Sequence, residues 1–134
     1  MLKVTQAEVN EAVRLHGMWL KDSKTGKRAN FSNKNLSGLD FSGADLRNAN
    51  LSNANLSNAD FSGAYLSDAD LSKANLSSAN LSRASLGFAD LSGADLSSAD
   101  FKGADLSFSN LDGATYNSKT IFPALGDNMV LKED

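Results

Sequence analysis

The chain has 134 residues, contains no cysteine and carries a formal net charge of −3 at pH 7. This length is that of one domain, and the lack of cysteine excludes disulfides, thiolate catalysis and cysteine-based metal sites. Residues 1–28 carry six basic against three acidic side chains, whereas residues 29–121 carry six against ten and are mildly acidic. We therefore expect no direct binding of nucleic acid, because contact with phosphate requires a basic surface.

Residues 1–28 are predicted to form an N-terminal helical cap followed by a polar turn. Thr5 and Glu8 have the spacing of a capping box, which satisfies backbone donors in the first turn of a helix. Side chains at helical spacing then mark one face: Val9, Ala12, Val13, His16 and Leu20, with Trp19 beside them. So short a helix is marginal alone, and we expect residues 5–21 to pack on the segment that follows. His16 is the only histidine and has no cysteine near it, which favours a packed or half-exposed role over catalysis or metal binding.

A unit of five residues repeats from Ala29 to Ile121 without insertion or deletion. The centre of each of the first seventeen units is Leu or Phe, from Phe31 to Leu111, and Tyr116 and Ile121 are expected to continue this register. The residue two places before each centre is Ala except at Lys34, Leu39 and Ser109. A period of five fits neither a helix nor a flat strand, so it predicts a solenoid with the centres and alanines inside. The remaining positions, mostly Asp or Asn, then Ser, then a variable residue, are expected to face water.

Two further patterns bear on the shape of this solenoid. Phe41, Phe61 and Phe101 are separated by 20 or 40 residues, which places them in one interior column if four units make a coil. Ile121 is expected at the end of the same column. Glycines recur two places after the centre, where a corner requires unusual backbone angles. Counting units gives about four to five coils.

The alternation of Ala-(Asp/Asn)-Leu with two variable residues resembles the pentapeptide repeat family. The resemblance implies an all-β solenoid, a right-handed quadrilateral parallel β-helix, over residues 29–121, with the N-terminal α-helix as its cap. The ending Tyr-x-x-x-Thr-x-Phe-Pro, from Tyr116 to Pro123, is similar to the segment that follows the repeats in many bacterial members, especially cyanobacterial ones. Residues 122–134 are expected to form a C-terminal lid.

Three aromatic residues occupy positions that the repeat directs towards water: Tyr65, Phe88 and Phe108. Phe88 and Phe108 are twenty residues apart and would lie one above the other, with Tyr65 on or beside the same face. Exposed apolar side chains that cluster are more informative than scattered ones. Two interpretations stay open, packing of one ring on the other and a surface for a dimer or a protein partner.

The sequence contains no catalytic constellation, because its Asp and Asn residues form similar columns instead of unlike groups that converge in a pocket. We therefore predict a non-enzymatic structural or protein-interaction scaffold with no cofactor and no metal. Its partner would be an unidentified protein, and the chain itself a monomer or homodimer. No apolar run reaches membrane-spanning length, so we expect no membrane association and a cytoplasmic location. The resemblance implies one alternative, a DNA mimic that binds DNA gyrase or topoisomerase.

Overall fold

The computed structural model describes residues 2–124. Its one helix in this range, α1, runs from Gln6 to Lys21. The predicted capping box is confirmed, since the Thr5 amide donates to Glu8 Oε1 at 3.0 Å and the Glu8 amide donates to Thr5 Oγ1 at 3.2 Å. Helix α1 therefore begins where two backbone donors already have side-chain acceptors.

The rest of the described chain is a coil in which each residue before a centre pairs with the residue twenty places on. These parallel pairs run from Asn30 with Asn50 to Asp95 with Thr115. Four units therefore make one coil, as predicted, and residues 29–108 make four coils. Between residues 2 and 124 each extended piece is a single bridging residue and none is a longer strand, because a corner follows within two residues. We number the sides in chain order, so the fourth side comprises residues 44–48, 64–68, 84–88 and 104–108.

The seventeen predicted centres form the core. Each is at most 8% exposed, and alanines fill the space beside them. Phe41 and Phe61 stack with ring centroids 4.7 Å apart, which confirms that part of the aromatic column. The two large residues at small positions in the first coil behave as their chemistry suggests: Lys34 is exposed, whereas Leu39 packs partly buried against the core.

The residue two places after each centre has a left-handed backbone in all seventeen units, with φ between +58° and +72°. The sequence predicted this geometry only at the glycines. The Asp or Asn before the centre supports the corner, as where Asn75 Oδ1 accepts hydrogen bonds from the Ser77 amide at 2.9 Å and the Ser77 hydroxyl at 2.6 Å. Most of these Asp, Asn and Ser side chains are half-buried, so the expectation that they simply face water was wrong.

The predicted register fails in the last unit. The two residues of the final bridge are twenty-one places apart instead of twenty, because Asp100 pairs with Ile121 and not with residue 120. Ile121 therefore occupies a bridging position and is 49% exposed, and Tyr116 is 55% exposed. Phe122 takes the interior place and stacks on Phe101 with centroids 5.9 Å apart. Residues 125–134 of the predicted C-terminal lid lie outside the described residues.

The N-terminal segment satisfies the open edge of the first coil by several means. Lys3 bridges Asn35, and the Val4 amide donates to the Asn35 carbonyl at 2.9 Å. The side-chain amide of Gln6 bonds both backbone groups of Asp40, each at 2.8 Å, as a strand of a preceding coil would. The first coil thus has partners for backbone groups that would otherwise be unpaired.

His16 joins α1 to the coil at the centre of this contact. The side chain is fully buried, which is more than the packed or half-exposed position that we expected. Its Nδ1 accepts from the Ala29 amide at 2.9 Å, so Nε2 carries the hydrogen and donates to the Arg47 carbonyl at 2.8 Å. Trp19 is half-buried and stacks on the imidazole with centroids 5.4 Å apart. His16 is therefore a structural residue that holds two chain segments together.

Candidate protein-binding surface

The fourth side of the coil departs from the repeat more than the other three. The bridging residue is Asp or Asn in fifteen of the seventeen units, and the two exceptions, Tyr65 and Ser85, both lie on this side. Gly87 stands where most units have Ser, and Phe88 and Phe108 occupy its corner. The departures therefore cluster on one face of the molecule.

These departures leave the backbone of the coil unchanged. The Tyr65 amide donates to the Ala44 carbonyl at 2.9 Å, and the Leu66 amide donates to the Ser85 carbonyl at 2.7 Å, as in regular units. Tyr65 cannot supply the carboxylate or amide oxygen that supports the corner elsewhere, and its side chain is 51% exposed. The residues of the fourth side thus differ in their exposed chemistry, while the fold beneath them stays the same.

Phe88 and Phe108 form a stacked pair on the outside of the protein. Their ring centroids are 5.1 Å apart with an interplanar angle of 13°, which confirms the predicted ladder contact. The rings are nonetheless 62% and 63% exposed. Both residues have left-handed backbones, with φ of +60° and +58°, a conformation that disfavours a bulky side chain by roughly 1–2 kcal/mol per residue.

Other corner columns avoid two large side chains in succession. Lys73 leans over Gly93, and Arg83 leans over Gly103, with a Cγ atom 3.2 Å from the place where each glycine would carry a Cβ. Phe88 is followed by a second phenylalanine instead of a small residue. The left-handed backbone is common to all seventeen corners, so two large, exposed aromatic residues in succession are not needed to build the coil, and such clustered apolar side chains indicate a binding surface.

Carboxylates surround the aromatic corner. Asp68 lies one coil before Phe88 in the same column, Asp90 follows Phe88 by two residues, and Asp105 precedes Phe108 by three. The Ser107 hydroxyl donates to Asp105 and lowers the pKa of that carboxyl, so it stays ionised near neutral pH. Both ion pairs among residues 2–124 lie elsewhere, between Arg14 and Glu11 and between Arg47 and Asp45. The surface beside the rings is therefore negative.

The structure brings the three predicted site residues to one side without joining them in one cluster. Phe88 and Phe108 touch, whereas the ring contacts within residues 2–124 do not include Tyr65. Tyr65 lies one coil before Ser85 on the same side. Sequence reasoning found the aromatic residues from their positions in the repeat, but it did not weigh Ser85 and Gly87, whose departure from the repeat is visible in the sequence.

Two grooves lie where α1 meets the first coil, and sequence reasoning missed both. One of about 300 Å³ is lined by Gln6, Asn10 and Asp40 among others, and one of about 230 Å³ by Glu8, Lys27 and Lys34 among others.

Residues 2–124 contain no group of three or more His, Cys, Asp or Glu side chains placed to hold a metal ion. No helix in that range combines the length and apolar character needed to cross a membrane.

A family model described as pentapeptide repeats matches the chain in three segments, residues 27–63, 49–87 and 79–115. The chain is also similar to the crystal structure of HetL, a pentapeptide repeat protein involved in heterocyst differentiation regulation from the cyanobacterium Nostoc sp. PCC 7120. The sequences are 39% identical over 71% of this chain and 44% of HetL, with a TM-score of 0.65.

A second similar structure is AT2G44920, a pentapeptide repeat protein from the thylakoid lumen of Arabidopsis thaliana, which is 31% identical over 64% of this chain and 60% of its own, with a TM-score of 0.61. The chain thus spans less than two thirds of the length of either protein. Full-length QnrB1, a plasmid-mediated fluoroquinolone resistance protein, also matches, at 20% identity over 73% of this chain and 71% of its own, with a TM-score of 0.32. No curated protein sequence matches the chain.

Proposed function

Because the chain belongs to the pentapeptide repeat family, we propose that it is a non-enzymatic interaction module whose fourth side binds a protein partner. The observation that carries this proposal is the corner of Phe88 and Phe108, where two stacked aromatic rings are 62% and 63% exposed. Large aromatic side chains are the usual anchors of protein interfaces. Tyr65, on the same side, extends the binding surface towards the N-terminal end.

The backbone supports the use of this side as a rigid platform. Hydrogen bonds between coils fix the backbone of the fourth side, such as the bond from the Phe88 amide to the Ser107 carbonyl at 3.0 Å and the bond from the Asp105 amide to the Ala84 carbonyl at 2.9 Å. Side chains on such a frame lose little conformational freedom on binding, which favours affinity. An enzymatic role has no comparable support, because members of this family are generally scaffolds and the Asp, Glu and His side chains within residues 2–124 form no cluster of three or more placed to hold a metal ion.

Several finer expectations belong to the same proposal. We infer a right-handed coil from the family, a division of the chain at residues 28/29 and 121/122, and a cytoplasmic location. The state of the isolated chain, monomer or homodimer, follows from whether the fourth side binds another protein or a copy of itself. The alternative of a gyrase-binding DNA mimic has less support, because the acidity of the coil is diluted by six cations.

The proposal is tested by affinity capture from the lysate of the native cell with two forms of the protein as parallel baits. We expect the wild type to retain a protein that the double variant Phe88→Asn/Phe108→Asn loses. Asparagine is suited to this test because Asn48 occupies the same corner column with a φ of +65°. Tyr65→Asn, which restores the usual bridging residue, is expected to weaken retention.

Lys73→Asn/Arg83→Asn is the matched control. It also replaces two long, exposed side chains at left-handed corners, but on other sides of the coil. We expect this control to retain the same protein as the wild type. Binding by the fourth side would be contradicted if the phenylalanine variant retained the partner as well as the wild type does. It would also be contradicted if the control lost the partner to the same extent as the phenylalanine variant.

A further inference from the structure

We propose that the occupant of the aromatic corner is a basic, arginine-bearing segment of the partner, with a guanidinium stacked on Phe88 and paired with the neighbouring carboxylates. This inference rests on the proposed function and adds the chemistry of the partner. It is carried by two features of the surface, an open aromatic ring face and negative charge without a local cation.

The ring face of Phe88 that points towards the N-terminal coils meets no second aromatic ring within residues 2–124. Phe108 covers the other face, at a centroid distance of 5.1 Å. The residue above Phe88 in the column is Asp68, whose side chain is shorter, and Phe88 remains 62% exposed. A planar cation laid on that face would continue the stack and reach the Asp68 carboxylate at the same time.

The charges around the corner are complementary to such a group. Asp68 and Asp105 are exposed and Asp90 is half-buried, and none of the three takes part in an ion pair within residues 2–124. The one cation of the fourth side, Arg47, lies in the first coil and bonds Asp45 at 2.7 Å. The adjacent corners carry Lys73 and Arg83, each leaning over a glycine of its own column. An arriving cation therefore meets carboxylates that form no ion pair with any residue from 2 to 124.

Arginine suits this surface better than lysine. Its guanidinium is planar, stacks on aromatic rings and donates two parallel hydrogen bonds to a carboxylate, whereas the lysine ammonium is a strongly hydrated point charge. The structure thus assigns a partner segment in which arginine alternates with small or apolar residues. Such a segment keeps its backbone close to the coil while the guanidinium reaches the ring.

Fluorescence anisotropy with a labelled peptide of alternating arginine and glycine tests this inference on the purified full chain. We expect the peptide to bind the wild type and to bind about tenfold more weakly to Phe88→Asn/Phe108→Asn. Asp68→Asn/Asp90→Asn is expected to weaken binding about fivefold, because the lost charges contribute less than the ring. The same peptide with citrulline in place of arginine keeps the shape without the charge and is expected not to bind.

Asp60→Asn/Asp95→Asn is the matched control, because it removes the same charge from other sides of the coil. Asparagine keeps the corner bonds at positions 60, 90 and 95, since Asn50 supports its corner in the same way as Asp90. At position 68 it suits the left-handed backbone, as Asn48 does one coil earlier. We expect this control to bind the arginine peptide as the wild type does. Equal binding to all variants, equal binding of the citrulline peptide, or no binding to the wild type would overturn the inference.

These outcomes separate the inference from the proposed function. The wild type can capture a partner that Phe88→Asn/Phe108→Asn loses while the arginine peptide does not bind. That combination supports the fourth side as the interface and excludes a basic occupant. Insensitivity of both capture and peptide binding to the phenylalanine substitutions excludes the interface itself.

Discussion

Replacing Gly26 with alanine is expected to detach the N-terminal cap, with a loss of about 3 kcal/mol or more in the free energy of unfolding. Gly26 has a φ of +64°, and an added Cβ would overlap the Leu15 carbonyl oxygen and lie 2.7 Å from Met18 Cβ. The substitution would also disturb the bond from the Lys27 amide to the Leu15 carbonyl, which closes the turn after α1. Urea denaturation measures the loss, and light scattering detects the end-to-end association that an uncovered coil favours.

Two other glycines separate the causes of this effect. Gly38 has a φ of +71° and open space around it. Gly38→Ala is therefore expected to lower the free energy of unfolding by only about 1 kcal/mol, from backbone strain. Gly17 lies inside α1, and apart from the adjacent backbone of the helix no atom lies within 4 Å of an added methyl, so Gly17→Ala is expected to stabilise by about 0.5 to 1 kcal/mol. Equal destabilisation by Gly26→Ala and Gly38→Ala would show that the helix does not close against this turn.

His16→Ala is expected to be as damaging as Gly26→Ala, at about 3 to 5 kcal/mol. It empties a fully buried site and leaves the Ala29 amide and the Arg47 carbonyl without their side-chain partner. Hydrogen exchange of the Ala29 amide is expected to accelerate together with the loss of stability in urea.

Arg14→Ala is the control on the same helix. Arg14 is exposed and bonds only Glu11 and Met18 within the helix, so its removal is expected to cost about 0 to 1 kcal/mol. A loss for His16→Ala as small as that for Arg14→Ala would contradict the role of the imidazole as the link between cap and coil.

Much of the coil was predictable because one constraint acts on every unit. Burial of Leu or Phe at each centre, with alanine beside it, fixes which residues point inwards, and the spacing of Phe41 and Phe61 fixes the number of units per coil. The same register placed Phe88 on Phe108. These features depend on hydrophobic periodicity, which a single sequence displays directly.

The structure at the two ends of the coil was harder to predict, because it depends on local exceptions to the repeat. The extra residue before Ile121 is invisible to a search for unbroken register, and it exchanges the roles of Ile121 and Phe122. The buried bonds of His16 arise from the angle at which α1 meets the first coil, which its amphipathic pattern does not specify.

The candidate site was predictable in part. Exposed aromatic residues at polar positions could be read from the sequence, and so could the carboxylates near them. The left-handed backbone of Phe88 and Phe108 could not, because the repeat indicated that geometry only where glycine occurs. The two stacked, exposed rings distinguish this corner as a surface kept for binding, because the left-handed backbone is common to all seventeen units.

The most direct test of this claim is the free energy of unfolding of Phe88→Asn/Phe108→Asn relative to the wild type, measured in urea. Relief of the left-handed strain is worth roughly 1 kcal/mol per residue, and loss of the stack costs about 0.5 to 1.5 kcal/mol. Two residues are relieved, so we predict that the variant is about 0.5 to 1.5 kcal/mol more stable than the wild type. A loss of more than about 1 kcal/mol would show that the stacked rings hold the coils together and would contradict a corner kept for binding.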